Sequence, residues 1–179
     1  MTESGSGKEP VFESAAEKFI GHYDEVRGYI RQQVIRARLL PFMEDDNLEV
    51  LDFGGGAALD SIWAANLGQR VDYWDNSTKM RREATQNMAH SKDNVRLLET
   101  DPIIDVSPRY DLVMSHVVMQ YIEPKRLEII MPRLAATIKP GGLLSIADRN
   151  WNAVTGSPTD RMRAFKNNLN LDCWVYRLN

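Results

Sequence analysis

The sequence predicts an α/β protein with a mostly parallel sheet and helices on both of its faces. Two observations predict it. Short apolar runs at 48–53, 71–74, 95–98, 110–115 and 143–147 read as buried strands, and most of the stretches between them have helical spacing. Strands joined through helices lie parallel, because each crossover returns the chain to the same end of the sheet. A third observation, Gly54-Gly55-Gly56 directly after the first strand, places a sharp strand-to-helix turn at that end.

The elements follow in order. Phe12, Ala15, Ala16, Phe19, Ile20 and Tyr23 share one helical face over 12–23. Asp24 can cap a second helix carrying Val26, Ile30, Val34, Ile35 and Leu39, which Pro41 and the acidic stretch 44–47 end. These two N-terminal helices stand outside the alternation and are expected on the sheet's edge or over its open end. The strand at 48–53 leads through the glycines into a helix at 59–67, closed by Gly68. The strand at 71–74 ends at Asp75, and Ser77 or Thr78 can cap a helix running to about residue 90. After the strand at 95–98, the stretch 101–109 holds two prolines and reads as a loop rather than a crossover helix. The strand at 110–115 is followed by a helix over 124–138, with Pro124 in its first turn and Pro132 as a kink. Lys139-Pro140-Gly141-Gly142 reads as a turn before the strand at 143–147. The 29 residues after Asn150 allow one helix, about 159–169, and one short strand, 172–177.

Composition narrows the class. The chain has 179 residues, 43% of them hydrophobic and 26% charged, as in a globular domain with a real core. The polar, Gly/Ser-rich residues 1–10 read as a disordered leader, and 11–179 as a single domain. No apolar run approaches the roughly 20 residues that span a bilayer. Cys173 stands alone, which excludes a disulfide framework or a cysteine metal cluster and suits a cytoplasmic protein. The net charge of −3 gives no overall positive field for nucleic acid. Local basic groups, Lys79-Arg81-Arg82 and Arg161-Arg163-Lys166, are candidate phosphate contacts or ordinary solvated helix faces.

The chemistry gathers after the strands. Ligands on open parallel sheets bind outside the carboxyl ends of the strands, near a switch in strand order. Gly54, Gly55 and Gly56 let the backbone approach such a ligand, and Asp52 before them can anchor the loop or meet an amino group. Asp75, nineteen residues past Gly56, can accept both hydroxyls of an adenosine ribose or cap the helix after it. Leu59 occupies the position where a dinucleotide fingerprint needs its third glycine. Asp101 is a ligand contact or a loop cap, with Pro102 beside it, and His116 closes its strand as a ligand contact, a base or a structural histidine.

The run Val50 to Gly56, Asp75, the strand Tyr110 to His116, and Ile138-Lys139-Pro140-Gly141-Gly142-Leu143-Leu144 together resemble the Rossmann-like class I methyltransferases that use S-adenosylmethionine (SAM). Ala16-Glu17-Lys18-Phe19, Gly28-Tyr29-Ile30-Arg31-Gln32 and Asp148-Arg149-Asn150 narrow the resemblance to the bacterial tRNA 5-carboxymethoxyuridine methyltransferases. Those enzymes esterify the carboxylate of a modified wobble uridine. The resemblance implies SAM as cofactor. It places Arg31 at the SAM carboxylate, Gly54 and Gly55 along the methionine part, Asp75 at the ribose, Asp101 or Pro102 at the adenine, and His116 near the sulfonium. Relative to that family the C-terminal part is abbreviated, which leaves an open sheet edge suited to pairing with a second copy. The acceptor is then a tRNA or a small molecule. A non-catalytic SAM-binding domain working through a partner is the third possibility.

Overall fold

The computed structural model describes residues 26–45, 47–89, 94–149 and 171–178. The expected leader, the helix at 12–23 with Asp24, Asn150, the helix at 159–169 and the basic group on it lie outside these residues. In chain order the elements are α1 (Val26–Leu39), β1 (Glu49–Phe53), α2 (Leu59–Asn66), β2 (Arg70–Trp74), α3 (Thr78–Met88), β3 (Val95–Leu97), β4 (Tyr110–His116), α4 (Pro124–Ala136), β5 (Ile138–Arg149) and β6 (Leu171–Arg177). Short 3₁₀ turns lie at Leu40–Phe42 and Met119–Tyr121.

The sheet order is β3-β2-β1-β4-β5-β6. The first five strands are parallel, and β6 runs antiparallel beside β5. The order reverses between β1 and β4, which pair in register through Val50–Leu112 and Leu51–Val113. That reversal opens a crevice at the carboxyl ends of β1 and β4.

Alternation along each strand divides the core between the two faces. Val50, Val71, Leu112 and Leu143 point toward Ile35 and Leu39 of α1 and Ala64 and Ala65 of α2. Their neighbours Leu51, Val113 and Leu144 point the other way, onto Leu127, Ile130, Met131 and Leu134 of α4. Tyr73 meets Ala84 of α3. Ser77 caps α3, its hydroxyl accepting from the Met80 N–H at 3.2 Å.

Two expectations are revised. Helix α1 lies on a face of the sheet rather than on its edge, and of the two places expected it keeps the open end, where its Gln32 lines the cleft. Ile35 and Leu39 are fully buried there, each worth about 1.5–3 kcal/mol of apolar burial. The stretch Lys139 to Gly142 is not a turn ahead of β5 but part of it. The β4–β5 register jumps from Tyr110–Ile138 to Leu112–Leu143, so the extra residues bulge out. Gly141 takes a φ of +79°, and its N–H donates to Leu178 O at 2.8 Å. The bulge is therefore held by Leu178, just after β6, and by Arg177 of β6, which donates to Gly141 O at 3.3 Å.

Candidate functional site

The crevice is a cleft of about 820 Å³, lined from β1, the glycine loop, β2, β4, α4 and α1. Its size falls within the roughly 300–1,000 Å³ of small-molecule sites.

The glycine loop forms its floor. A Cβ on Gly54 would come within 2.6 Å of Val118, and Gly54 has a φ of +74°. A Cβ on Gly55 would come within 2.7 Å of both the Tyr73 ring and the Asp52 carboxylate. The loop is held from below. Tyr73 donates its hydroxyl to Gly56 O at 2.7 Å, and Asn87 donates to Ala57 O at 2.9 Å. The loop's amides are already engaged. Gly54 and Gly55 donate to Trp74 O at 2.8 and 3.2 Å, and Gly56 donates to Asp75 Oδ2 at 2.9 Å. A pyrophosphate-binding turn aims such N–H groups at its ligand. Here they hold the loop to β2 and Asp75, and the cleft presents the carboxylates of Asp52, Asp60, Asp75 and Asp101.

Those acids differ in state. Asp52 is buried at the end of β1 and accepts the Ser61 hydroxyl at 2.6 Å. Burial, and then the charge of Asp60, push its carboxyl up to about 7 despite the Ser61 bond and His116. Burial also works against the ionised form of Asp60. The hydrogen bond and charge of His116, together with Arg36, outweigh it and hold Asp60 below the usual carboxylate range. Asp148, at the end of β5, is pushed up to about 6 by burial, against N–H donation from Gln120 and Met119 and the charge of His116.

A chain of polar contacts crosses the cleft wall. Arg36 of α1 donates to Asp60 Oδ1 at 3.1 Å and to Leu59 O at 2.8 Å. Asp60 Oδ2 faces His116 Nδ1 at 3.1 Å, and His116 Nε2 faces Ser145 Oγ at 2.9 Å. An ionised Asp60 accepts from Nδ1–H, and Nε2 meets the Ser145 hydroxyl, accepting from it in a neutral ring and donating to it in a charged one. Both ring nitrogens are thereby engaged, and the His116 side chain is only 6% exposed. Val117, next in sequence and also lining the cleft, has a φ of +62°, uncommon and strained for a β-branched residue.

A match to the methyltransferase-domain family covers residues 50–142, more than half of the chain. The chain belongs to the methyltransferase-domain family. The match runs from β1 through the Lys139–Gly142 bulge and takes in every acid of the cleft. The chain is 30% identical over 145 residues to the tRNA 5-carboxymethoxyuridine methyltransferase of Escherichia coli, covering 75% of this chain and 54% of that protein. It thus spans about half the length of this curated relative. Among solved structures, the magnesium protoporphyrin IX methyltransferase of Synechocystis with bound SAM shares the fold at a TM-score of 0.58 and 21% identity. That likeness covers 90% of this chain and 74% of the other. The 1,6-didemethyltoxoflavin-N1-methyltransferase of Burkholderia thailandensis, with its substrate and S-adenosylhomocysteine bound, aligns at a TM-score of 0.55 and 20% identity, covering 80% and 65%.

Set on this methyltransferase fold, most residues singled out from the sequence converge. Asp52, Gly54, Gly55, Gly56, Asp75, Asp101 and His116 all line the cleft. Asp75 also accepts from Ser77 N at 2.8 Å, and Asp101 from Ile103 N at 3.0 Å, so each stiffens its loop while facing the cleft. Pro102 is buried behind the wall, and its neighbour Ile103 lines the cleft instead. Arg31 is half-buried on α1 outside the lining, whereas its neighbour Gln32 is part of it. Lys79 and Arg82 are exposed on α3 and Arg81 is half-buried there. Sequence reasoning passed over Asp60, Gln32 and Ser145. Asp60 looked like an ordinary acid in a first helical turn, and its partners lie 24 and 56 residues away.

Proposed function

We propose that this chain binds SAM in the cleft at the β1–β4 switch and transfers its methyl group to a carboxylate acceptor entering beside His116. The observation that carries the cofactor reading is the glycine floor. It excludes side chains and lies beside carboxylates, while its N–H groups are engaged by Trp74 O and Asp75. Such a floor fits a nucleoside joined to a cationic tail and gives a pyrophosphate nothing to bind. Asp75 is placed for the ribose hydroxyls and Asp52 for the amino group. Asp101 and Ile103 stand at the adenine, and Gly54 and Gly55 along the methionine part. SAM, when bound, supplies a methyl already activated by positive sulfur.

The protein's own work is alignment and exclusion of water. His116 supports the choice of acceptor. With Nδ1 on Asp60 and Nε2 on Ser145, it is held as a fixed part of the wall and is not poised to take a proton from an acceptor. A carboxylate is ionised at neutral pH and needs no base. Similarity to the E. coli enzyme points to the carboxylate of a modified wobble uridine in tRNA. A small carboxylic acid is the second reading, favoured by the net charge of −3.

The test is transfer of labelled methyl from SAM to bulk tRNA and to a panel of small carboxylic acids. A methyl ester releases its label as methanol in mild alkali. Alkali-labile label in tRNA is the expected result. Alkali-stable label, or none in any acceptor while SAM binding is intact, refutes the carboxylate reading.

A further inference from the structure

The cleft is electrically lopsided. Asp52, Asp60 and Asp75 line it from β1, α2 and the end of β2, and Asp101 from the loop after β3. Its only Lys or Arg side chains among the described residues are Arg126 and Arg133, and both stand on α4. Glu123, just ahead of that helix, is the one acid this segment adds to the lining. The two arginines have different occupations. Arg133 donates from Nε to Ile103 O at 2.8 Å and from Nη2 to Ile104 O at 3.0 Å, so it is spent on pinning the loop after β3 to α4. Arg126 is exposed, and its guanidinium has no hydrogen bond or ion pair among the described residues.

An apolar shelf lies on the same wall as that free guanidinium. Arg126, Ile129, Ile130 and Arg133 recur at helical spacing, so α4 turns one stripe to the cleft. Ile129 on that stripe is 62% exposed, and Ile104, on the loop that Arg133 pins, is 69% exposed. Tyr121, exposed in the turn ahead of α4, lines the same cleft. Large apolar side chains gathered at a cleft rim mark a surface that a partner covers. The shelf is also fixed in place. Ile104 N donates to Asp101 O at 3.2 Å while Arg133 holds the Ile104 carbonyl.

We propose that this α4 rim is where an RNA acceptor docks beyond its reacting nucleotide, with a phosphate on Arg126 and a neighbouring base on Ile104, Ile129 and Tyr121. This rests on the tRNA reading above and removes an electrostatic difficulty in it. A chain with a net charge of −3 has no overall field to hold a polyanion, and the acids of the cleft repel one. A strand must then be held by a local cation on the wall away from most of those acids. A guanidinium offers parallel N–H groups that match phosphate oxygens. An unpaired base brings a flat face that stacks on such a shelf, the common grip on single-stranded RNA. A small carboxylic acid bound beside His116 has no phosphate for Arg126 to meet and no second ring to cover the shelf.

The test is fluorescence anisotropy with a labelled tRNA anticodon stem–loop, with S-adenosylhomocysteine present and potassium chloride varied from about 50 to about 300 mM. Each phosphate contact to a single strand contributes roughly 0.7 to the slope of log affinity against log salt. Arg126→Gln should weaken RNA binding about 10-fold at the lowest salt and flatten the slope by about 0.7. Ile129→Gln should weaken binding severalfold with the slope unchanged. Both side chains are exposed, so both variants should melt with the parent and bind S-adenosylhomocysteine as it does. An Arg126→Gln protein that binds the stem–loop as the parent does overturns the inference and leaves the tRNA reading standing. So does an equal flattening by Arg82→Gln, on α3 outside the cleft lining, which would mark diffuse attraction. A fall in S-adenosylhomocysteine affinity as large as that for RNA also overturns it, placing Arg126 in the cofactor site. A parent that binds S-adenosylhomocysteine but no RNA overturns the inference and the tRNA reading together.

Discussion

Asp52 is held in the fold at a cost that pH can expose. Its carboxyl is raised from 3.8 to about 7 by burial and the neighbouring Asp60. That rise corresponds to about 4 kcal/mol between the two protonation states. The unfolded chain gives up this proton near its ordinary value, while the folded chain keeps it until about pH 7. Between those values the folded state binds more protons, so stability falls as pH rises and then levels off. Asp52→Asn removes the ionisation and keeps a carbonyl oxygen to accept the Ser61 hydroxyl. Urea unfolding of parent and variant should give nearly equal stabilities at about pH 4, with the variant ahead by about 4 kcal/mol at about pH 8. A gap that stays constant across that range, or a variant weaker at the alkaline end, refutes the reasoning. The same carboxyl should lose its proton to solvent when a cofactor ammonium binds beside it. Binding of S-adenosylhomocysteine at about pH 6 should then release protons, seen as a dependence of the binding heat on buffer.

Asp60→Asn should act in the opposite sense. It weakens two charge-assisted contacts to Arg36 and His116, costing about 2–3 kcal/mol at neutral pH, and the loss should shrink in acid as the parent's depressed carboxyl is protonated, as a urea series over pH shows. Gly55→Ala forces a methyl within 2.7 Å of the Tyr73 ring and Asp52, so stability should drop by about 1–3 kcal/mol and calorimetric affinity for S-adenosylhomocysteine by at least about 10-fold. Tyr73→Phe removes the hydroxyl that holds Gly56 O; KM for SAM should rise severalfold while kcat is kept, since the ring still backs the loop. His116→Gln should lower kcat by less than the roughly 100-fold or more that loss of a general base brings; a steady-state assay showing a larger fall would restore His116 as the base.

The strand pattern was legible because it is local. Val50 and Leu51, or Leu112 and Val113, announce by alternation that β1 and β4 bury both faces. The glycine loop and Asp75 were legible for a similar reason, since a turn and the end of the next strand are set by short-range spacing. The bulge at Lys139–Gly142 was misread because what holds it, Leu178, is a long-range partner. Two prolific turn-formers and a proline look the same whether they end a strand or bulge from it. The Arg36–Asp60–His116–Ser145 chain was illegible for that same reason, its members coming from α1, α2, β4 and β5. The sequence draws attention to the Arg31 guanidinium, while its neighbour Gln32 is the residue that lines the cleft. Which of two adjacent helical residues faces a cleft depends on how the helix docks, and the burial of Ile35 and Leu39 decides that.

The engaged amides of the glycine loop bear on life in a crowded cell. Any site that grips adenosine must contend with ATP and ADP, which carry the same base and sugar and are abundant. A loop with idle N–H groups would welcome their phosphates. This one has turned those groups inward to Trp74 and Asp75. In the proposed cofactor site, discrimination against the commonest adenine nucleotides begins with how the backbone folds.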